Sequence, residues 1–593
     1  MSRNNTARSG KPEKGKILSR LLGYIGRSRI LVPLAFLSAI ISALANLLAP
    51  SLIGKAIDHM IGPGQVVFSA LFKLAAALAL TYLLSVLFTW LLTYFSNRLA
   101  YQTANRLRVD LYNKMNRLPL RYFDNNPHGD TISRFINDVD AVVDGMLQGV
   151  ASLMTGVVTI AGAIAFMLPI SPVMTLVVIL SAPFAYLVAG FITKRSQKYF
   201  GEQARTLGRL NGYAEEMIAG QHTVKAFHYE TTSVEKFEAV NQELFQVGTR
   251  SQFYGAMANP TTRLINNTIY SVIGVTGAVM AIMGSITVGN ISSFLIYSNL
   301  FSKPFNEITS VITQIQTAFA SCGRIFALLD EEEEIKDAPD ARELSTCEGN
   351  IRFDHVAFSY VEDKPLIADL NLDVKAGSRI AIVGRTGAGK TTLVNLLMRF
   401  YEVKKGAIYV DGIPIDQIKR DSLRRNFGMV LQDTFLFHDT IRNNIAYGKP
   451  DATDEEVEAA ARAAGIHGFI RRLPEGYQTI IGGNSAMSQG QRQLLTIARI
   501  MLINPPILIL DEATSSIDTR TELKIQAAFD KLMKGKTSFV IAHRLSTIKE
   551  ADLILVMEQG NIIEKGTHEE LLEAGGAYET LYNSQFPKPG ESD

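Results

Sequence analysis

The apolar run Ile380-Ala381-Ile382-Val383 leads into Gly384-Arg385-Thr386-Gly387-Ala388-Gly389-Lys390-Thr391, and helical residues Thr392-Leu393-Val394-Asn395-Leu396-Leu397 follow. Glycines in this pattern, between a strand and a helix, let backbone N–H groups wrap phosphate at the helix N-terminus. Lys390 is then the cation for the β- and γ-phosphates, and Thr391 offers a hydroxyl to Mg²⁺. A second apolar run, Ile507-Leu508-Ile509-Leu510, ends in Asp511-Glu512. An aspartate at the carboxyl end of a buried strand holds Mg²⁺, and a following carboxylate orients or deprotonates an attacking water. Desolvating two adjacent carboxylates is costly unless a cation compensates. The chemistry these residues point to is hydrolysis of a nucleoside triphosphate.

Between the two runs lies Met487-Ser488-Gln489-Gly490-Gln491-Arg492-Gln493. This resembles the signature motif of ATP-binding cassette proteins, with Met487 in place of the usual Leu and Gln489 in place of the commoner Gly. Further elements of that family occur in order. Tyr360 resembles the aromatic that stacks on adenine, and Gln432 resembles the glutamine that senses Mg²⁺ and the γ-phosphate. Ser515-Ser516-Ile517-Asp518 resembles the D-loop, and His543 resembles the switch histidine. The resemblance implies an ATP site with Tyr360, residues Gly384 to Thr392, and Ser488 to Gln491 as binding residues. It implies Glu512 as general base, His543 as the γ-phosphate and water-positioning partner, and Lys390 as charge stabiliser. Gln432 joins the catalytic set, and Thr391, Gln432 and Asp511 form the Mg²⁺ set.

An α/β fold of the P-loop kind must position these residues, and the sequence from about Gly349 onward has the charge density of such a soluble domain. The sequence before it differs sharply. From about Ile30 to Ser310, long apolar runs dominate, and a spanning helix needs roughly 20 such residues because hydrocarbon satisfies no exposed backbone. Six stretches are expected to span, at about 30–54, 68–96, 146–168, 172–194, 262–284 and 287–310. The fold expected is an all-α six-helix transmembrane domain followed by the P-loop domain. Its parts are an N-terminal tail (1–29), the transmembrane domain (30–328), a linker (329–348), the ATP-binding cassette (349–586) and a C-terminal tail (587–593). The acidic run Asp330 to Glu334 reads as a solvated part of the linker.

Short turns at Gly62-Pro63-Gly64, Pro169-Ile170-Ser171-Pro172 and Gly284-Ser285-Ile286 alternate with two long connections rich in Arg and Lys. The first includes Arg98, Arg106, Arg108, Lys114, Arg117, Arg121 and Arg134, so these connections are expected in the cytoplasm. The tail before the first span, with Arg3, Arg8, Lys11, Lys14, Lys16, Arg20, Arg27 and Arg29 against Glu13, belongs there too. An even number of spans returns the cassette to the cytoplasm, where ATP is. Helical periodicity persists through the long connections, so spans 2 to 5 are expected to run on below the membrane.

A net charge of +2 argues against a nucleic-acid partner, which needs a basic face for phosphate. The two cysteines, Cys322 and Cys347, have no histidines at metal spacing, so neither a disulfide framework nor a zinc site is expected. No removable signal peptide is expected.

The membrane half is similar to exporters of the multidrug kind. That resemblance implies coupling helices near 122–134 and 220–229, the second reaching the partner's cassette. It also implies a dimer, because Ser488 and Gly490 of one subunit contact the γ-phosphate held by the other. The stretch from Ile525-Gln526-Ala527-Ala528 to Ile548 resembles the catalytically intact halves of heterodimeric exporters, which favours a heterodimer of half-transporters over a homodimer. The segment Ile481 to Ala486 departs from the usual Gly-Glu-rich pattern. Membrane lipid and small hydrophobic or amphipathic substrates are the expected surroundings and cargo, with Phe88, Trp90, Tyr94, Tyr270 and Tyr297 as candidate cavity aromatics. A lipid flippase, a peptide exporter, and a channel or regulator gated by ATP are the alternatives.

Overall fold

The computed structural model describes residues 14–26, 30–60, 66–361, 364–431, 434–482, 487–511, 518–541 and 548–585. The chain forms two units. One comprises Met1–Arg117 and Asn126–Glu331; the other comprises Leu118–Asn125 and Glu332–Asp593.

The first unit is helical: α1 (Lys14–Ile25), α2 (Leu31–Asp58), α3 (Phe68–Met115), α4 (Leu120–Asn125, which belongs to the second unit), α5 (His128–Ser133), α6 (Val139–Asp144), α7 (Ala151–Met167), α8 (Pro172–Ala219), α9 (Gln221–Ala226), α10 (Glu230–Ile282) and α11 (Val288–Leu329). The 53 residues of α10 make about 80 Å of helix against a hydrocarbon core of about 30 Å. The helices of the long connections therefore do continue well past membrane length. Ser171 caps α8 by accepting from the Met174 N–H at 3.3 Å, with Pro172 at the first position, a favoured arrangement because proline has no N–H to leave unpaired.

Among the described residues, 4 helices are long and apolar enough to cross a membrane: Leu31–Asp58, Phe68–Met115, His128–Met167 and Arg263–Ile282. The remaining two expected spans lie in α8, where Pro172–Ser181 is a shorter apolar stretch among the described residues, and in α11, where Asn290, Asn299 and Lys303 dilute the apolar character. Six helices thus cover the expected stretches, and four meet the criterion.

A polar seam joins α2 to α11. The Thr287 hydroxyl and the Gly289 N–H donate to the Asp58 carboxylate at 2.7 and 2.8 Å, the Ser293 hydroxyl donates to the Pro50 carbonyl at 2.8 Å, and the Tyr297 hydroxyl donates to the Leu47 carbonyl at 2.7 Å. The backbones approach so closely that a Cβ on Gly289 would lie 2.0 Å from the Gly54 carbonyl oxygen. Tyr297 is fully buried and stacks on Phe166 at 5.6 Å. It is part of the packing between helices. Trp90, Tyr94 and Tyr270 remain exposed.

Asp138 closes a π-helical turn (Arg134–Asp138) and is buried. Its carboxylate accepts from Arg324 Nε at 3.0 Å and from the Ser321 hydroxyl at 2.9 Å, so one acid ties this stretch to α11. Removing a buried acceptor leaves its donors unpaired at a cost of about 1–3 kcal/mol. Asp138→Ala should therefore lower the thermal unfolding midpoint in detergent, and Asp138→Asn, which keeps an acceptor oxygen, should lower it less.

The acidic run is not simply solvated. Asp330 accepts both contacts of Arg20 at 2.7 Å within the first unit, and Glu334 accepts from Arg424 at 2.6 Å within the second. Each acid meets an arginine that the linear pattern does not reveal.

The second unit holds two main sheets. Strands β1 (Ile351–Phe358), β2 (Ile367–Val374), β4 (Lys405–Val410) and β5 (Ile413–Pro414) form an antiparallel sheet in the order β2-β1-β4-β5. The second sheet runs β12-β11-β3-β10-β9-β6, built from β3 (Arg379–Val383), β6 (Phe427–Val430), β9 (Ile507–Asp511), β10 (Thr537–Ile541), β11 (Leu553–Glu558) and β12 (Asn561–Gly566). Strands β7 (Asp439–Thr440) and β8 (Ile480–Ile481) pair by themselves. In the second sheet β11, β3, β10, β9 and β6 are parallel. Such strands are covered on both faces and read as continuous apolar runs, as β3 and β9 do.

Candidate active site

The register of the parallel strands brings their carboxyl ends together. Ile541 pairs with Ile382 and with Asp511, and Leu510 pairs with Val430. Four adjacent strands therefore end within about a residue of one another, the edge at which parallel α/β sheets bind ligands. The loop Gly384–Gly389 leaves β3 from this edge and enters α12 (Lys390–Leu397). Asp511 ends β9 at the same edge.

The loop has the backbone its glycines permit. Gly384, Gly387 and Gly389 sit at φ of +155°, +85° and +99°, and a Cβ on Gly384 would lie 2.3 Å from the Met557 carbonyl oxygen. The Ala388 N–H donates to the Arg385 carbonyl at 3.0 Å, and the Gly560 N–H donates to the Ala388 carbonyl at 2.9 Å. The start of β12 thus supports the loop from behind. The Lys390 ammonium donates to the Gly384 carbonyl at 2.7 Å and to the Arg385 carbonyl at 3.2 Å. Burial pulls the Lys390 ammonium below the usual lysine range, and the Asp511 charge opposes that shift. A partly desolvated cation at a helix N-terminus attracts an anion strongly. Arg385, Thr386 and Thr391 are exposed, so the Thr391 hydroxyl is accessible; Ala388 and Thr392 are buried.

Thr392 accepts from the Tyr360 hydroxyl at 3.2 Å, and Asn395 Nδ2 donates to that hydroxyl at 3.5 Å. Tyr360 meets the rings of Phe358 and Tyr401 edge-on, at 4.8 and 4.9 Å. Its ring is held from the side and by its hydroxyl, and it remains 38% exposed, enough to receive a planar base.

Ser488 caps the helix Gln489–Ile503. Its hydroxyl accepts from the Gln491 N–H at 3.3 Å, and its own N–H donates to Gln491 Oε1 at 3.0 Å. Ser488 is exposed, Gln489 and Gln491 are half-buried, and Gly490 is buried. Gln491 acts here through the cap, which presents Ser488 at the positive end of a 15-residue helix, a setting suited to phosphate. Gln432, Glu512, the D-loop residues Ser515 to Ile517, His543 and most of the atypical segment, 483–486, lie outside the described residues. Asp518, at the end of the D-loop, caps the helix Thr519–Met533 by accepting from the Thr521 N–H at 3.0 Å.

The structure adds residues that motif reading missed. Asn395 and Tyr401 fix Tyr360, and Tyr401 in turn donates its hydroxyl to Asp124 of α4, 277 residues away in sequence. Burial and that carboxylate hold the Tyr401 hydroxyl above the usual phenol range, so it stays a donor. The only local signal for Tyr401 is an aromatic pair, Phe400-Tyr401, just after α12.

Residues 32–305 match the family described as the ABC transporter transmembrane region, and residues 367–515 match the family described as ABC transporter. The chain is 44% identical, over 87% of its length and 82% of the relative's, to the fatty acid ABC transporter ATP-binding/permease protein of Mycobacterium tuberculosis (strain CDC 1551 / Oshkosh). It is 42% identical, over 98% of its length and 95% of the relative's, to the uncharacterized ABC transporter ATP-binding protein YfiC of Bacillus subtilis (strain 168). Among solved structures, that of a bacterial Atm1-family ABC exporter with ATP bound superposes with a TM-score of 0.76 at 30% identity, covering 95% of this chain and 99% of that one.

Proposed function

The chain belongs to the ABC transporters of exporter type, multi-pass membrane proteins whose ATPase domain drives transport, and from that premise we propose a half-transporter that exports hydrophobic or amphipathic compounds, of the multidrug kind, across the cytoplasmic membrane. On this reading the spans number six, an even count that leaves the N-terminus and the cassette together on the cytoplasmic side. The observation that carries the ATP site is the shared strand edge, where Lys390 and Asp511 sit and from which the segments with Gln432, Glu512 and His543 continue.

Two such chains, or this chain and a different half-transporter, close on ATP. The phosphate loop of one holds the triphosphate, and the capped Ser488 of the other supplies a helix N-terminus to the γ-phosphate. Closure favours an outward-facing cavity; hydrolysis removes the γ-phosphate contacts and lets the cassettes part. Asp511 and Thr391 are oxygen donors of the kind Mg²⁺ takes, and together with Gln432 they are the residues that would hold it. Bound there, Mg²⁺ supplies positive charge to the β- and γ-phosphates.

The turn between α8 and α10 fits a coupling helix that docks on the partner's cassette. Ile218 and Phe227 beside α9 are 74% and 78% exposed, and the cassette carries Phe435 and Tyr447 at 68% and 58%. Exposed apolar surfaces of this kind suit an interface with a second chain. Residues 122–134, with α4 and α5, are the other coupling segment. The fatty-acid relative names an amphipathic cargo, within the class proposed.

Base stacking on an aromatic is worth about 1–3 kcal/mol. Tyr360→Ala should therefore raise the KM for ATP roughly tenfold or more, whereas Tyr360→Phe, which keeps the ring, should raise it only slightly; steady-state ATPase titrations check both.

ATP hydrolysis by this chain purified alone into lipid nanodiscs, with Glu512→Gln as background, tests the assembly. The favoured heterodimer predicts ATP binding with hydrolysis at background. Turnover well above background would establish a working homodimer, and failure to bind ATP would overturn the reading of the site.

A further inference from the structure

We propose that Tyr401 is the positioning residue through which adenine occupancy at Tyr360 orders the helix α4. The inference rests on the reading of Tyr360 as the adenine platform. Among residues 1–331, the segment Leu118–Asn125 stands apart in belonging to the cassette unit. Its Tyr122 is buried, and its Asp124 accepts the Tyr401 hydroxyl.

Tyr401 touches both ends of the path. Its ring meets Tyr360 at 4.9 Å and 87°, and Phe358 at 5.7 Å and 68°, so Phe358 and Tyr401 form a corner that fixes the Tyr360 plane. The Tyr360 hydroxyl is anchored to Thr392 and Asn395 of α12, the helix that begins with Lys390. The chain leaves α12 through Arg399 at φ +51° and returns with the Phe400 N–H donating to the Asn395 carbonyl at 2.9 Å. That tight return sets Tyr401 beside Tyr360. The phosphate helix, the adenine platform and α4 therefore converge on one side chain, whose ring faces the platform and whose hydroxyl holds α4.

A base stacked on Tyr360 restricts its ring, and the edge-on contact passes the restriction to Tyr401. The Tyr401 hydroxyl then holds Asp124 in one geometry. ATP bound by the phosphate loop alone, without this link, leaves α4 as it was. A bond that merely fastens α4 to the cassette acts equally with and without nucleotide.

Hydrogen–deuterium exchange of residues 118–125 in the full chain separates these cases, with Glu512→Gln as parent and Mg·ATP as probe. The parent is expected to show at least fivefold slower exchange with ATP than without. Adding Tyr401→Phe, which keeps the ring and so the fold, should shrink that difference below twofold while the Kd for ATP changes less than threefold. Asp124→Ala should copy it, and Asp124→Asn, which keeps an acceptor oxygen, should retain at least half of the effect. An intact ATP-dependent difference in Tyr401→Phe, with exchange faster in both states, would show a purely structural bond and overturn the proposal. A fall in ATP affinity that accounts for the whole loss would overturn it too. Failure of the Glu512→Gln parent to bind ATP would instead overturn the reading of the site beneath it.

Discussion

Glu512→Gln is expected to lower steady-state ATP hydrolysis by roughly 10²–10⁴-fold, the range a positioned general base contributes, while ATP binding persists. Strand β9 is buried along Ile507 to Leu510 and ends at Asp511, and Glu512 is the next residue in the sequence. The amide matches the carboxylate in size and keeps an acceptor oxygen, but it takes no proton from water. Because ATP is bound and not consumed, it acts as a ligand of the closed cassette pair and stabilises that state by mass action. The variant should therefore accumulate as an ATP-bound closed dimer, seen by size or by a label distance between cassettes, in whichever assembly supports turnover. Wild-type rates in Glu512→Gln would move the base elsewhere.

Lys390→Ala should fail at an earlier step. The ammonium now donates to the Gly384 and Arg385 carbonyls, and it is the cation this loop offers to a triphosphate. Each charge-assisted hydrogen bond contributes about 1.5–3 kcal/mol, so losing the interactions with two phosphates weakens ATP binding by roughly a hundredfold or more. Hydrolysis then falls because the nucleotide is absent. Equilibrium binding of ATP distinguishes the two variants: retained in Glu512→Gln, lost in Lys390→Ala. Retained affinity in Lys390→Ala would mean that the backbone N–H groups carry the phosphate by themselves.

The nucleotide site is legible in the sequence because its chemistry fixes residue types at fixed spacings. Gly384 must adopt a positive φ against the Met557 carbonyl, Lys390 begins α12 and Asp511 ends β9, so local pattern and position coincide. The long connecting helices are legible for a similar reason, since an uninterrupted helical period over α8 or α10 has few other solutions. The spans are less so: α11 mixes polar side chains with apolar ones because it packs on α2 through Ser293 and Tyr297, and composition alone cannot tell a seam from a cavity. The ties of Asp330 to Arg20 and of Glu334 to Arg424 escape for another reason, since charge runs look solvated until the fold brings distant arginines to them. Tyr401 and Asp124 are the extreme case. Beyond the Phe400-Tyr401 aromatic pair nothing local marks either, and their bond exists only because the chain returns a helix from its first half to the cassette.

The pump is tested most directly by reconstituting the active assembly that contains this chain into sealed liposomes and following a lipophilic fluorescent amine across the membrane after Mg·ATP is added on the cassette side. Active export concentrates the probe above equilibrium and stops when ATP is exhausted, and Glu512→Gln binds ATP yet accumulates nothing. Downhill leakage that ATP binding alone opens, equal in wild type and Glu512→Gln, would contradict it and make the cassettes a gate.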